Sequence, residues 1–124
     1  MRRSYKLYLE DILTSANKIQ KYVGKSSYEV LINDEMRVDA IIRNFEIIGE
    51  ASSNIPQEVR DSYPSVEWRK IIDFRNIIVH DYFGIDYEIL WDIIKNKLPG
   101  LKTEMQIILQ KEKWIPDPQI LSSW

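Results

Sequence analysis

Cysteine is absent from the 124 residues, and histidine occurs once, at position 80. Together these gaps exclude thiolate nucleophiles, disulfide frameworks, iron–sulfur clusters and the usual Cys/His zinc sites. A metal centre would need carboxylates alone. Positive charge is not in excess either: the net charge of −2 argues against a broad basic surface that grips nucleic acid, so any contact with RNA or a nucleotide should be local. Long apolar runs are missing too. Glu10 and Asp11 interrupt the basic N-terminal stretch before a signal-peptide core can form, and no segment approaches a membrane span. The expectation is a cytoplasmic protein without membrane contact.

What remains is a chain with 44% apolar and 29% charged residues, the balance of a soluble globular protein, at the length of one ordinary domain. The apolar positions Leu7, Leu9, Ile12, Leu13, Ala16, Ile19 and Val23 form an amphipathic stripe that ends at Gly24. Ser26 or Ser27 can cap a short turn over Tyr28 to Asn33, and Asn33 or Asp34 a longer helix to about Asn54. Val38, Ile41, Ile42, Phe45 and Ile48 are its core stripe. Gly49, Ala51, Ser52 and Ser53 predict a tight crossing with another helix. On the polar side, Arg43, Glu46 and Glu50 can pair with one another or with a neighbour.

A short turn over Pro56 to Tyr63, a helix from about Val66 to Asp81, and a last helix capped by Asp86 and running to about Lys111 complete the reading. Pro99-Gly100 should kink that last helix. The lysines of the stretch from Lys95 to Lys113, Lys95, Lys97, Lys102, Lys111 and Lys113, read as a solvated face more readily than as an RNA track. No stretch holds a strand's period of two. The predicted fold is all-α, a compact antiparallel bundle of about four to five main helices with short extra turns, over residues 1–112. A tail, 113–124, carries two prolines and two tryptophans. Packing of Trp114 onto the last helix is its expected role, with a partner surface as the alternative.

The 66–82 segment carries the chemistry. Ile71, Ile72, Phe74, Ile78 and Val79 fall with Trp68 on a core face, while Arg69, Asp73, Asn76 and His80 line up on the opposite one. Arg75 falls among the apolar residues, where a guanidinium needs a partner or an exit. In a straight helix Arg75 and His80 point roughly 140° apart. Either the helix loosens near Gly84, so that His80 and Tyr82 swing round, or two chains assemble the site about a two-fold axis.

Arg75-Asn76-Ile77-Ile78-Val79-His80-Asp81-Tyr82 resembles the Arg-x4-His-x-Tyr signature of the HepT-like toxins, within the HEPN (higher eukaryotes and prokaryotes nucleotide-binding) group of helical domains. Arg43-Asn44-Phe45-Glu46-Ile47-Ile48-Gly49-Glu50-Ala51 looks like that family's Gly-Glu-Ala helix. Trp68-Arg69-Lys70-Ile71, Leu90-Trp91-Asp92 and Leu98-Pro99 also fit, so the resemblance runs from about Ser4 to about Leu109. It implies a dimeric, metal-independent endoribonuclease that uses no cofactor, the toxin of a toxin–antitoxin pair. The antitoxin would be a minimal nucleotidyltransferase, which in some members silences the toxin by attaching AMP to the motif tyrosine, here Tyr82.

The residue chemistry fits those roles. Cleaving RNA without a metal needs a base for the 2′-hydroxyl, an acid for the leaving oxygen and a cation for the phosphorane. An imidazole such as that of His80 can serve as base or acid, and a dimer supplies two copies. Arg75 offers a donor fork for phosphate oxygens, and Asn76 can orient the phosphate or His80. Asp73, Arg43 and Glu50 are candidate supports. Two other readings stand beside this one: a non-catalytic, nucleotide-binding partner subunit of a nucleotidyltransferase, and, ranked last, a purely structural dimerisation domain.

Overall fold

The structure, a computed structural model, describes residues 3–112. The expectations for Trp114 and for the 113–124 tail lie outside the described residues.

Four main helices form an all-α bundle. Helix α1 (Tyr5–Val23) is capped by the Ser4 hydroxyl and stopped by Gly24, whose φ of +55° suits a residue without Cβ. After the short α2 (Tyr28–Ile32), capped by Ser27, comes α3 (Glu35–Asn54), with the Asp34 side chain accepting from the backbone N–H of Arg37. The short α4 (Gln57–Ser62) leads to α5 (Trp68–His80). A single 3₁₀ turn, Tyr82–Gly84, follows, then α6 (Tyr87–Asp92) on its Asp86 cap. The last main helix is α7 (Leu98–Lys111).

Named contacts fix the directions. Arg37 Nη1 on α3 donates to the carbonyl of Tyr22, at the end of α1, at 3.0 Å. Tyr5 Oη donates to Glu112 at 3.0 Å, and Lys102 Nζ reaches Gln20 Oε1 at 3.1 Å, so α1 and α7 run antiparallel. Phe74 meets Phe45 edge-to-face, while Arg75 reaches Glu50 and Tyr82 reaches Asp39, so α3 and α5 are antiparallel as well. Leu9, Ile12, Ile19, Ile41, Ile48, Leu98 and Met105 are fully buried between them. Among the described residues, no helix is long and apolar enough to cross a membrane.

Two local expectations change. The irregularity expected at Pro99-Gly100 falls one turn earlier, as a π-helical stretch over Ile93–Lys97 in which Leu98 N–H bonds to the Ile93 carbonyl. Pro99 then sits in the first turn of α7, where a missing N–H costs nothing. The second change concerns α5. Trp68 and Ile78 are buried and Ile71 and Phe74 pack on the core, but Val79 is 50% exposed and not a core residue. One residue past Ile78, it has turned ~100° away from the face that α3 covers.

The lysines of the last segment behave as a solvated face with local partners. Lys95 sits over the Trp91 ring, 4.6 Å from its centroid, and Lys97 lies 3.6 Å from Glu67.

Candidate functional site

Gly49 is where the site begins. A Cβ built on it would run into the Arg75 Cβ, lie 2.7 Å from the Arg75 Cγ and come within 3.3 Å of the Ile71 carbonyl. The small residues predicted to permit a tight crossing therefore permit this one, and the side chain that fills the space is Arg75 itself.

Passing over Gly49, the Arg75 stem delivers its guanidinium to the edge of the α3–α5 crossing. Nη2 donates to Glu50 Oε2 at 2.6 Å, and Nη1 to Asn76 Oδ1 at 3.0 Å. The guanidinium thus has the partner that its place in the sequence demanded. Its Nε is buried without a hydrogen-bond partner, a cost of desolvation that the charge-assisted pair offsets. With its side chain 31% exposed, Arg75 is anchored along its stem and open at its tip.

His80 is the last residue of α5 and is exposed. Asp81 N–H still bonds to the Ile77 carbonyl at 2.8 Å, so the helix stays regular through His80. The loosening expected near Gly84 does not reach the histidine. It comes one residue later, where Asp81 takes φ −146° and ψ 60° and the 3₁₀ turn begins. That break redirects Tyr82 alone. Arg75 and His80 consequently keep the ~140° separation of a regular helix within one chain.

Tyr82 turns back onto α3, where its hydroxyl donates to Asp39 Oδ1 at 2.6 Å. This bond, with partial burial and the negative charge of Asp39, pushes the phenol pKa up to about 12. The Phe83 ring stands edge-on to Tyr82 at 5.4 Å and is itself 98% exposed. Sequence reasoning did not select Asp39. The pair spans 43 positions and depends on the break at Asp81, so no local spacing announces it.

The predicted supporting residues divide. Glu50 and Asn76 are brought to Arg75. Arg43 pairs with Glu46 at 3.3 Å along its own helix. Asp73 is exposed on α5, and among the described residues no hydrogen bond or ion pair ties it to Arg75 or His80. A groove of about 400 Å³ opens between α3, α5 and α7, lined by Phe45, Ile48, Ile71, Phe74 and Leu101 among others, but none of Arg75, Asn76, His80 and Tyr82 lines it. The motif lies outside that groove, with Asn76 and His80 exposed and Arg75 and Tyr82 partly so.

The chain resembles known proteins over most of its length. The family model described as "Ribonuclease HepT-like" matches residues 12–108. A Methanocaldococcus jannaschii protein named "Putative RNase MJ1380" is 43% identical over 107 residues, covering 86% of this chain and 98% of the relative. "Probable ribonuclease HepT" of Thermococcus cleftensis is 38% identical over 106 residues, covering 86% and 96%. "Putative RNase TTE0752" of Caldanaerobacter subterraneus is 39% identical over 106 residues, covering 86% and 95%. No solved structure gives a significant match.

Proposed function

Since the chain belongs to the HepT-like ribonuclease family, we propose that it is a metal-independent endoribonuclease and the toxin of a toxin–antitoxin pair. The observation that carries the proposal is the clamped, outward-facing guanidinium of Arg75, held by Glu50 and Asn76 on the helix that ends in His80. Preorganised donors aimed where charge develops lower a barrier without reorganising during the reaction. RNA supplies the nucleophile, its own 2′-hydroxyl. His80 takes that proton or delivers one to the leaving 5′-oxygen, and Arg75 binds the phosphorane oxygens once the phosphate displaces Glu50 from part of the fork.

One chain offers one histidine, turned away from its arginine. A homodimer with the site at its interface supplies the second imidazole and brings the two groups together across a two-fold axis. The surface around His80 supports this: Ile77 is 55% exposed, Val79 50%, and Phe83 almost fully. Apolar side chains left exposed beside a polar motif are what a second copy would cover. The partner in regulation is a nucleotidyltransferase antitoxin, which attaches AMP to Tyr82. The added phosphate places negative charge beside the site and repels RNA.

The test is RNA cleavage in excess chelator. Wild type should cut, and Arg75→Ala and His80→Ala variants that keep the wild-type helical signal should lose about 10²-fold or more of the rate. Undiminished cleavage by a folded His80→Ala variant would remove the mechanism, and loss of wild-type cutting in chelator would remove its metal independence.

A further inference from the structure

The Tyr82–Asp39 hydrogen bond belongs neither to the proposed ribonuclease chemistry nor to the buried core. Asp39 is exposed and Tyr82 half-buried, so a second molecule can approach the phenol oxygen from solvent. We propose that Asp39 is the general base for Tyr82, accepting the phenol proton as the tyrosine oxygen attacks the α-phosphorus of a nucleoside triphosphate. This rests on the reading of Tyr82 as a nucleotide acceptor and names the residue of this chain that makes it one. In the step, the phenol oxygen forms the new P–O bond. The bond from the α-phosphorus to pyrophosphate breaks and its electron pair leaves with pyrophosphate, while the phenol proton passes to the Asp39 carboxylate and then to water.

A neutral phenol is a weak nucleophile, and it is activated either by a lowered pKa or by an adjacent base. The first route is closed here. With its pKa held up at about 12, Tyr82 supplies very little phenolate near neutrality, so the proton has to leave as the bond forms. The 2.6 Å separation is within the short range of an O–H···O⁻ bond and lies along the path that transfer would take. Both partners are held in place. Asp39 is rigid on the second turn of α3, and Tyr82 is fixed by the 3₁₀ turn and by its packing against the core. Tyr5 provides an internal contrast: its hydroxyl also meets a carboxylate, Glu112, but at 3.0 Å and in a part-buried contact away from the motif.

A chemically activated AMP donor isolates this step from any transferase. The full chain is incubated with adenosine 5′-phosphorimidazolide, whose leaving group is imidazole, and the AMP adduct on each tyrosine is followed by peptide mass spectrometry. Tyr82 should be labelled faster than Tyr5 or Tyr87. Asp39→Asn should slow Tyr82 labelling by about tenfold or more, at or above the modest end of general-base effects, and Asp39→Glu should restore part of it. The Asn variant's rate should also climb with pH as phenolate accumulates, whereas the wild-type rate should climb less steeply. If the Asn variant labels as fast as wild type or faster, Asp39 only restrains the tyrosine and the proposal fails. Wild-type Tyr82 labelled no faster than Tyr87 would overturn it too, without reliance on any variant. RNA cleavage by the labelled protein is read separately: cleavage that survives complete labelling removes AMP attachment as the off-switch and leaves the role of Asp39 standing.

Discussion

Helices α1 and α3 bury six of nineteen and nine of twenty residues, whereas α5, which carries the motif, buries two of thirteen. The two regions are held by different physics. Hydrophobic burial along continuous stripes fixes α1 against α3. Helix α5 has a shorter apolar anchor, Trp68, Ile78 and the Phe74–Phe45 contact, and relies besides on one close approach at Gly49 and on polar ties near its end, Arg75 to Glu50 and Tyr82 to Asp39. The reactive groups ride on the less deeply anchored element. Such an element can be covered and uncovered by partners without unfolding the rest.

Removing packed volume from the first region gives the largest expected effect on stability. Ile12 is 0% exposed on α1, and Ile12→Ala should cost about 2–5 kcal/mol, counting lost transfer energy and the cavity left behind. Chemical denaturation measures it. A loss below about 1 kcal/mol would mean that the α1–α3 layer is loosely packed, and the contrast with α5 would collapse.

At the crossing, Gly49→Ala puts a methyl group where the Arg75 side chain leaves its backbone. The neighbour it strikes is the root of a side chain on another helix, so α5 must move. The expected cost is about 1–3 kcal/mol. RNA cleavage at a temperature where the variant is fully folded should drop as well, because the guanidinium is carried out of register with Glu50. Stability lost with cleavage unchanged would show that the crossing supports the fold but does not position the arginine.

The stripe of α3, the cap at Asp86 and, each as one of two candidates, the caps at Ser27 and Asp34 were legible in the sequence because they are local: a periodicity, or a side chain two or three residues from the amide it serves. The small-residue cluster around Gly49 foretold a tight crossing for the same reason, and Arg75 was visible as a cation on an apolar arc. Helical angle alone misplaced Val79, since burial at the edge of a stripe depends on how wide a neighbour α3 presents. Tyr82 and Asp39 could not be paired from spacing, because the backbone break at Asp81 decides where the tyrosine points. Of the proposed supports, Glu50 and Arg43 share one polar stripe on α3, and only the crossing angle selects Glu50 for Arg75.

The Tyr82–Asp39 tie has a pH signature. The folded pKa of about 12 lies above the ordinary tyrosine value near 10, so the folded state holds this proton more tightly. Its contribution is therefore fully present below about pH 10 and is lost as pH rises towards 12. Allowing for solvent screening at this half-exposed site, it amounts to about 1 kcal/mol. Tyr5, Tyr28 and Tyr63 are also raised, so the whole molecule weakens in alkali. The informative quantity is the stability difference between wild type and Tyr82→Phe, which should narrow between pH 10 and pH 12. A difference that stays constant across that window would mean the phenol proton is not shared with Asp39 in solution.

The smallest effect is expected from Val79→Ala, and its smallness is the point. Half of this side chain already faces solvent, so in a dilute, monomeric sample truncation should change stability by no more than about 0.5 kcal/mol. Self-association should respond differently. If a second copy covers Ile77, Val79 and Phe83, association adds to apparent stability by mass action, and the wild-type melting temperature rises with protein concentration. Val79→Lys should flatten that dependence and leave the dilute melting temperature near the wild-type value, because a charge at an exposed position disturbs only what binds there. Sedimentation of the two proteins at matched concentrations separates the cases. An unaltered dimer in Val79→Lys would place the interface elsewhere, and an unstable monomer would show that α5 leans on the core more than its two buried residues imply.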